Sequence, residues 1–116
     1  MADVYRPAGW PEDVDPLGSE DWERSAAWLL DLVPDLRAQT TVRRFPLILA
    51  VIARHTLTGS LEGARQGYRT ARTELGEAVP PHAVDDALKA YRDEGRRLAA
   101  AVRSVELVER ALRGKL

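Results

Sequence analysis

A chain of 116 residues, 45% hydrophobic and 30% charged, carries enough apolar surface for one core and too much for wholesale disorder. It contains no cysteine, which excludes disulfides, thiolate nucleophiles and cysteine metal sites, and no run approaches the roughly 18 apolar residues of a membrane span. The formal net charge of -1 hides an uneven spread: Met1 to Leu36 holds nine acidic residues against Arg6 and Arg24, whereas Arg37 to Leu75 holds seven arginines against Glu62 and Glu74. An acidic front and a basic middle either attract each other within one fold or address different partners.

Residues 1–18 contain Pro7, Pro11, Pro16, Gly9 and Gly18, which interrupt helix and strand ladders, so this stretch reads as an extended, proline-rich N-terminal arm. It also carries Val4, Tyr5 and Trp10, so the arm either docks on the rest of the chain with Trp10 inserted or serves as a ligand segment for another protein; the area an indole buries favours docking. Residues 19–116 read as a single helical domain, with helices over about 20–33, 46–75 and 81–113. Ser19 caps the first, with Glu20 and Asp21 near the positive end of its dipole, and Pro34 stops it. Trp22, Ala26, Leu29, Leu30 and Val33 form one apolar stripe; Trp28 and Leu32 form a second, which needs cover from the arm or from another copy of the chain.

Residues 34–44 read as a connector, with Thr40 and Thr41 as possible caps. Pro46 suits the first turn of the next helix, where its missing donor costs nothing, and Gly76 ends that helix. Gly59, Gly63 and Gly67 each weaken it by about 1 kcal/mol relative to alanine. A break near Gly59 is one outcome; close approach of another backbone is the other. Pro81 opens the last helix, which gives out before Gly114.

The two long segments carry apolar residues at alternating steps of four and three: Leu57, Leu61, Ala64, Tyr68, Ala71 and Leu75 on one, Val84, Leu88, Tyr91, Gly95, Leu98, Val102 and Val105 on the other. That spacing is the seam of a coiled coil. Folding at 77–80 sets Leu75 opposite Val84, Tyr68 opposite Tyr91 and Ala64 opposite Gly95, with closest approach expected at the last pair. The fold class that follows is all-α: a short helix packed on a long antiparallel helical hairpin, a coiled-coil-like three-helix bundle, preceded by the arm.

Small residues flank one side of the seam at Gly63, Gly67, Ala83, Ala87 and Ala90, a surface that admits another helix. Together with Trp28 and Leu32 it is the expected interface with a partner, either a second copy in a homodimer or another helical protein. The opposite flank carries Arg65, Arg69 and Arg72 on one helix and Arg92, Arg96 and Arg103 on the other. Arg72 falls opposite Asp85, but Arg65 falls opposite Arg92, a repulsion that an anion between them would relieve. Nucleic acid or another polyanion held by Arg65, Arg69, Arg72, Arg92 and Arg96 is therefore the alternative, although the stripe lacks interleaved aromatics in the sequence.

No catalytic residue, cofactor or metal is expected. His82 with Asp85 and Asp86 has a weak metal-ligand spacing that acidic residues early in a helix explain without a metal, and His55 reads as structural. No serine, histidine and carboxylate stand at catalytic spacing, and no glycine-rich phosphate loop is present. The functional expectation is a non-enzymatic helical adaptor or scaffold in the cytoplasm, acting on proteins and not on membranes.

Overall fold

The computed structural model describes residues 6–12, 14 and 23–115, and every regular element among them is helical. The expected cap at Ser19, the acidic first turn at Glu20 and Asp21, and Trp22, Val4 and Tyr5 lie outside the described residues. In chain order the elements are α1 (Glu23–Leu32), a short 3-10 helix (Pro34–Ala38), α2 (Thr40–Arg44), α3 (Pro46–Leu75) and α4 (Pro81–Leu112).

The ends of α3 and α4 fall where proline and glycine put them. Phe45 is extended (φ -119°, ψ 91°), as the residue before a proline must be, and Pro46 begins α3. Continuous helix then runs through Gly59, Gly63 and Gly67 to Leu75. Past α4, Gly114 turns left-handed (φ 70°), its N–H bonding the Ala111 carbonyl at 3.0 Å and that of Lys115 the Arg110 carbonyl at 2.9 Å. These two bonds make the Schellman cap that glycine at this position permits.

The connector over 34–44 is more regular than expected. Its backbone groups are satisfied by tight local bonds, Leu36 N–H to Val33 O at 3.1 Å and Gln39 N–H to Leu36 O at 2.9 Å, giving a 3-10 turn and then the five residues of α2. Thr40 and Thr41 lie inside α2 and do not cap it; Gln39 precedes the helix and contributes no side-chain bond.

The chain falls into two compact units whose limits lie within the long helices: Met1–Thr56 with Val102–Leu116, and Leu57–Ala101. In the first, the described apolar core draws Trp10 and Val14 from the arm, Leu29, Leu30 and Val33 from α1 and just after it, Leu49, Ala50 and Ala53 from α3, and Val105 and Val108 from α4. Arg54 on α3 donates through Nε to Glu109 Oε1 on α4 at 2.7 Å, a mostly buried ion pair.

The described part of the arm is docked but not extended. It makes two successive turns, Trp10 N–H to Pro7 O at 2.9 Å and Val14 N–H to Pro11 O at 3.3 Å, the first relying on Gly9 at φ 90°. Positive φ at the third residue is what a type II turn requires, and glycine supplies it without strain. Trp10 is 8% exposed and its indole N–H reaches the Val14 carbonyl at 3.3 Å. Ser104 Oγ on α4 donates to the Gly9 carbonyl at 2.6 Å, which pins the turn to the helix.

In the second unit Ala71, Val84 and Leu88 form a buried cluster with Leu75 and Val79 against it, beside the turn joining α3 to α4. Leu57, Leu61, Ala64 and Leu98 are buried as the seam requires. Two seam expectations fail. Tyr68 and Tyr91 are 44% and 37% exposed. A Cβ on Gly95 would meet nothing within 4 Å, so the small residues at that level leave space and not a point of closest approach.

Candidate functional site

The space left open at the Ala64 and Gly95 level is a groove of about 500 Å³, built wholly within Leu57–Ala101. Its wall on α3 is Leu61, Ala64, Arg65, Tyr68 and Arg69, and its wall on α4 is Tyr91, Arg92, Gly95, Arg96 and Ala99. These positions recur at helical spacing, so each helix offers one continuous face. Four times over, a seam residue is followed at once by an arginine: Ala64 by Arg65, Tyr68 by Arg69, Tyr91 by Arg92, Gly95 by Arg96. The seam residue supplies floor and the arginine, a further 100° around the helix, supplies rim. Tyr68 and Tyr91, one on each wall, remain 44% and 37% exposed.

The arginines of the groove are held loosely. Arg65 Nη1 bonds Glu62 Oε1 at 2.9 Å within α3, and Arg69 Nη2 bonds the neutral amide oxygen of Gln66 at 2.8 Å. Among the described residues no carboxylate lies within 4.0 Å of Arg92 or Arg96. Arg72 does not join them: its Nη2 stands 3.7 Å from Asp85 Oδ1 on α4, the partner the facing register assigns it. Arg97, next to Arg96, is engaged by both carboxylate oxygens of Glu94, with Nε to Oε2 at 2.9 Å. That hydrogen bond, opposed by desolvation and aided by the Arg97 charge, is the main reason the Glu94 carboxyl sits below the ordinary range. Of the groove's four arginines, Arg65 is thus paired within its own helix, whereas Arg69, Arg92 and Arg96 have no carboxylate within 4.0 Å among the described residues.

The small-residue flank looks different in detail from its sequence. Gly63 and Ala90 are exposed and Ala87 is half-buried. A Cβ on Gly59 or Gly63 would meet no atom within 4 Å, so neither glycine serves a close backbone approach among the described residues. Gly67 does have a neighbour, and it is internal: the ring of Tyr91 occupies the place a Cβ would take, with Oη 2.9 Å away. This glycine seats one wall of the groove. Trp28 and Leu32 belong to the first unit and are half-buried. A second hollow in that unit, about 380 Å³, is lined by Ala26, Ala27, Leu30, Thr40, Arg43 and Arg44.

His55 and His82 are exposed, and among the described residues no three histidine or carboxylate side chains converge to hold a metal ion. No helix among the described residues is long and apolar enough to cross a membrane. The tyrosines are what reading the sequence missed. Their seam positions pointed inward, and the available signal was the unequal layering, a large pair beside a small one, with arginine following each. The sequence matches no protein-family model, and no curated protein or solved structure is significantly similar to it.

Proposed function

We propose that the protein is a non-enzymatic helical interaction module, an adaptor that receives a partner protein in the groove on residues 57–101. The observation that supports this most directly is the gathering of Arg65, Arg69, Arg92 and Arg96 around an apolar floor with two half-exposed tyrosines. Burial of tyrosine and arginine together is the usual composition of an interface centre. A finer architecture belongs to the same proposal. Residues 57–101 form an antiparallel hairpin, supported by the Arg72 to Asp85 contact and by the cluster of Ala71, Val84 and Leu88. The first unit is a three-helix bundle of α1, the start of α3 and the end of α4, supported by the origin of its buried residues.

Gly95→Leu tests the docking role. A Cβ placed on Gly95 meets nothing within 4 Å, and replacing a helical glycine gains about 1 kcal/mol, so a leucine there extends into the groove from an unstrained attachment and the variant is expected to stay folded. In affinity capture from cell extract, proteins retained by the wild-type chain are expected to be lost from the Gly95→Leu chain; an identical retained set defeats the proposal. Self-association uses another surface, because a second groove brings like charges together. Exposed Gly63 and Ala90, with Ala87, are the residues proposed for it on 57–101, and Trp28 and Leu32 are proposed separately for the first unit. Light scattering after size exclusion is expected to report a dimer that Gly63→Leu weakens, and a strict monomer at high concentration removes the homodimer from the proposal.

A second reading, a polyanion held by the same four arginines, gains one point from the structure: Tyr68 and Tyr91 stand among them, and bases stack on exposed tyrosine. Against it, the groove walls run only from residue 61 to 69 and from 91 to 99, about 12 Å of helix, short for tracking a nucleic-acid backbone.

A further inference from the structure

We infer that the occupant of the groove is an acidic amphipathic helix from a different protein, one that lays an apolar stripe on the floor and sets carboxylates along both rims. This rests on the interaction-module proposal and names its partner. The first support is shape. The floor residues are seam residues of two neighbouring helices that leave a furrow at the Ala64 and Gly95 level, and a helix fills such a furrow by the same knobs-into-holes packing that builds a bundle. A wall of about 12 Å matches two helical turns, enough for apolar anchors at i and i+3 or i+4 with one further turn for register.

The second support is charge placement. Arg65 and Arg69 line the α3 rim, Arg92 and Arg96 the α4 rim, so a helix in the furrow meets guanidinium groups on both sides of its apolar stripe. Glutamate or aspartate flanking the stripe on both sides answers that pattern, and arginine forks bind carboxylates in two-point geometry. The same placement selects against alternatives. A second copy presenting its own groove sets arginine against arginine, and a basic amphipathic helix is repelled from both rims at once; specificity of this kind comes from the disfavoured pairings as much as from the favoured one. The third support is the floor itself: a phosphate group needs only the rim, whereas the exposed faces of Tyr68 and Tyr91, 44% and 37% accessible, are covered by leucine or an aromatic side chain.

Fluorescence anisotropy on the full chain tests this with four labelled probes. The first is a helical peptide of about three heptads with leucine on one stripe and glutamate on both sides of it. The second has the same composition with the leucines shuffled off the stripe, the third has lysine in place of glutamate, and the fourth is a single-stranded oligothymidylate. The first alone is expected to bind, and its binding weakens as salt rises from about 50 to about 200 mM. Affinity falls by about tenfold or more in Arg92→Glu/Arg96→Glu and in Gly95→Leu. Circular dichroism confirms that both variants keep their helicity, and either one suffices if the other unfolds. Equal binding of the shuffled peptide, preferential binding of oligothymidylate, or no binding of the first peptide each overturns the inference. If the peptide fails while cellular proteins are still captured by the wild-type chain and lost from Gly95→Leu, the docking role stands and only the acidic-helix occupant falls.

Discussion

Leu49→Ala is expected to cost about 2–5 kcal/mol of folding stability, toward the upper end of that span. Leu49 is 0% exposed in the first unit, and the residues beside it on α3, Ala50 and Ala53, are equally buried. Methyl side chains have no rotamer that swings into a void, so the cavity persists and its lining loses contacts outright. Against a total stability of roughly 5–15 kcal/mol for a protein of this size, the loss takes a large share. Urea unfolding monitored by circular dichroism measures it as a lower midpoint, with Phe45→Ala as the comparison. Phe45 is among the most exposed large apolar side chains of the described residues, and its removal is expected to cost less than about 1 kcal/mol. A Leu49→Ala loss no larger than that of Phe45→Ala would mean that the first unit is not packed around Leu49.

What the sequence conveyed about this fold is what is encoded between near neighbours. Pro46, Gly76, Pro81 and Gly114 act within one turn of themselves, and α3 and α4 begin and end where they stand. Burial of Leu57, Leu61, Leu88 and Leu98 follows from a 3.5-residue repeat that needs no knowledge of the rest of the chain. The failures all involve a choice between two uses of one residue. Gly67 fits a face open to an outside helix and equally a seat for an internal ring; only the position of Tyr91 decides, and the ring takes it. Gly95 opposite a small residue promises close approach, but a Cβ there would meet nothing within 4 Å, and the outcome depends on how the neighbouring layers, one of them Tyr68 and Tyr91, pack across two helices. The connector lacks any apolar period, yet it forms two short helical pieces with locally bonded backbone groups. The candidate site was half legible for the same reason: its arginines were found on the flank, but the opening that gathers four of them and leaves Arg72 to Asp85 depends on side-chain volumes across two helices.

Glu109→Gln is expected to destabilise the protein at neutral pH by about 1–3 kcal/mol, and by less in acid. Breaking a fully buried ion pair costs about 3–5 kcal/mol; here the Glu109 side chain is 14% exposed and that of Arg54 31% exposed, so water recovers part of the loss at the arginine. Burial alone pushes the Glu109 carboxyl up. The Arg54 hydrogen bond and charge, followed by those of Arg113 at 3.3 Å, outweigh it and hold the group below the ordinary carboxylate range. A carboxyl whose pKa is lower folded than unfolded binds fewer protons in the folded state. It therefore contributes its full stability above the unfolded value of about 4.3 and loses it as the pH falls through the lower folded value. Other carboxylates titrate over the same interval, so the informative quantity is the difference between wild type and Glu109→Gln, measured by urea unfolding at pH 7 and again near pH 3. That difference is expected to shrink in acid, because below the unfolded value the unfolded wild-type chain takes up a proton that the folded carboxylate resists, a shift toward unfolding that the glutamine variant lacks. A difference unchanged between the two pH values would show that glutamate acts at this position through shape and neutral hydrogen bonding, with Arg54 drawing no stability from its charge.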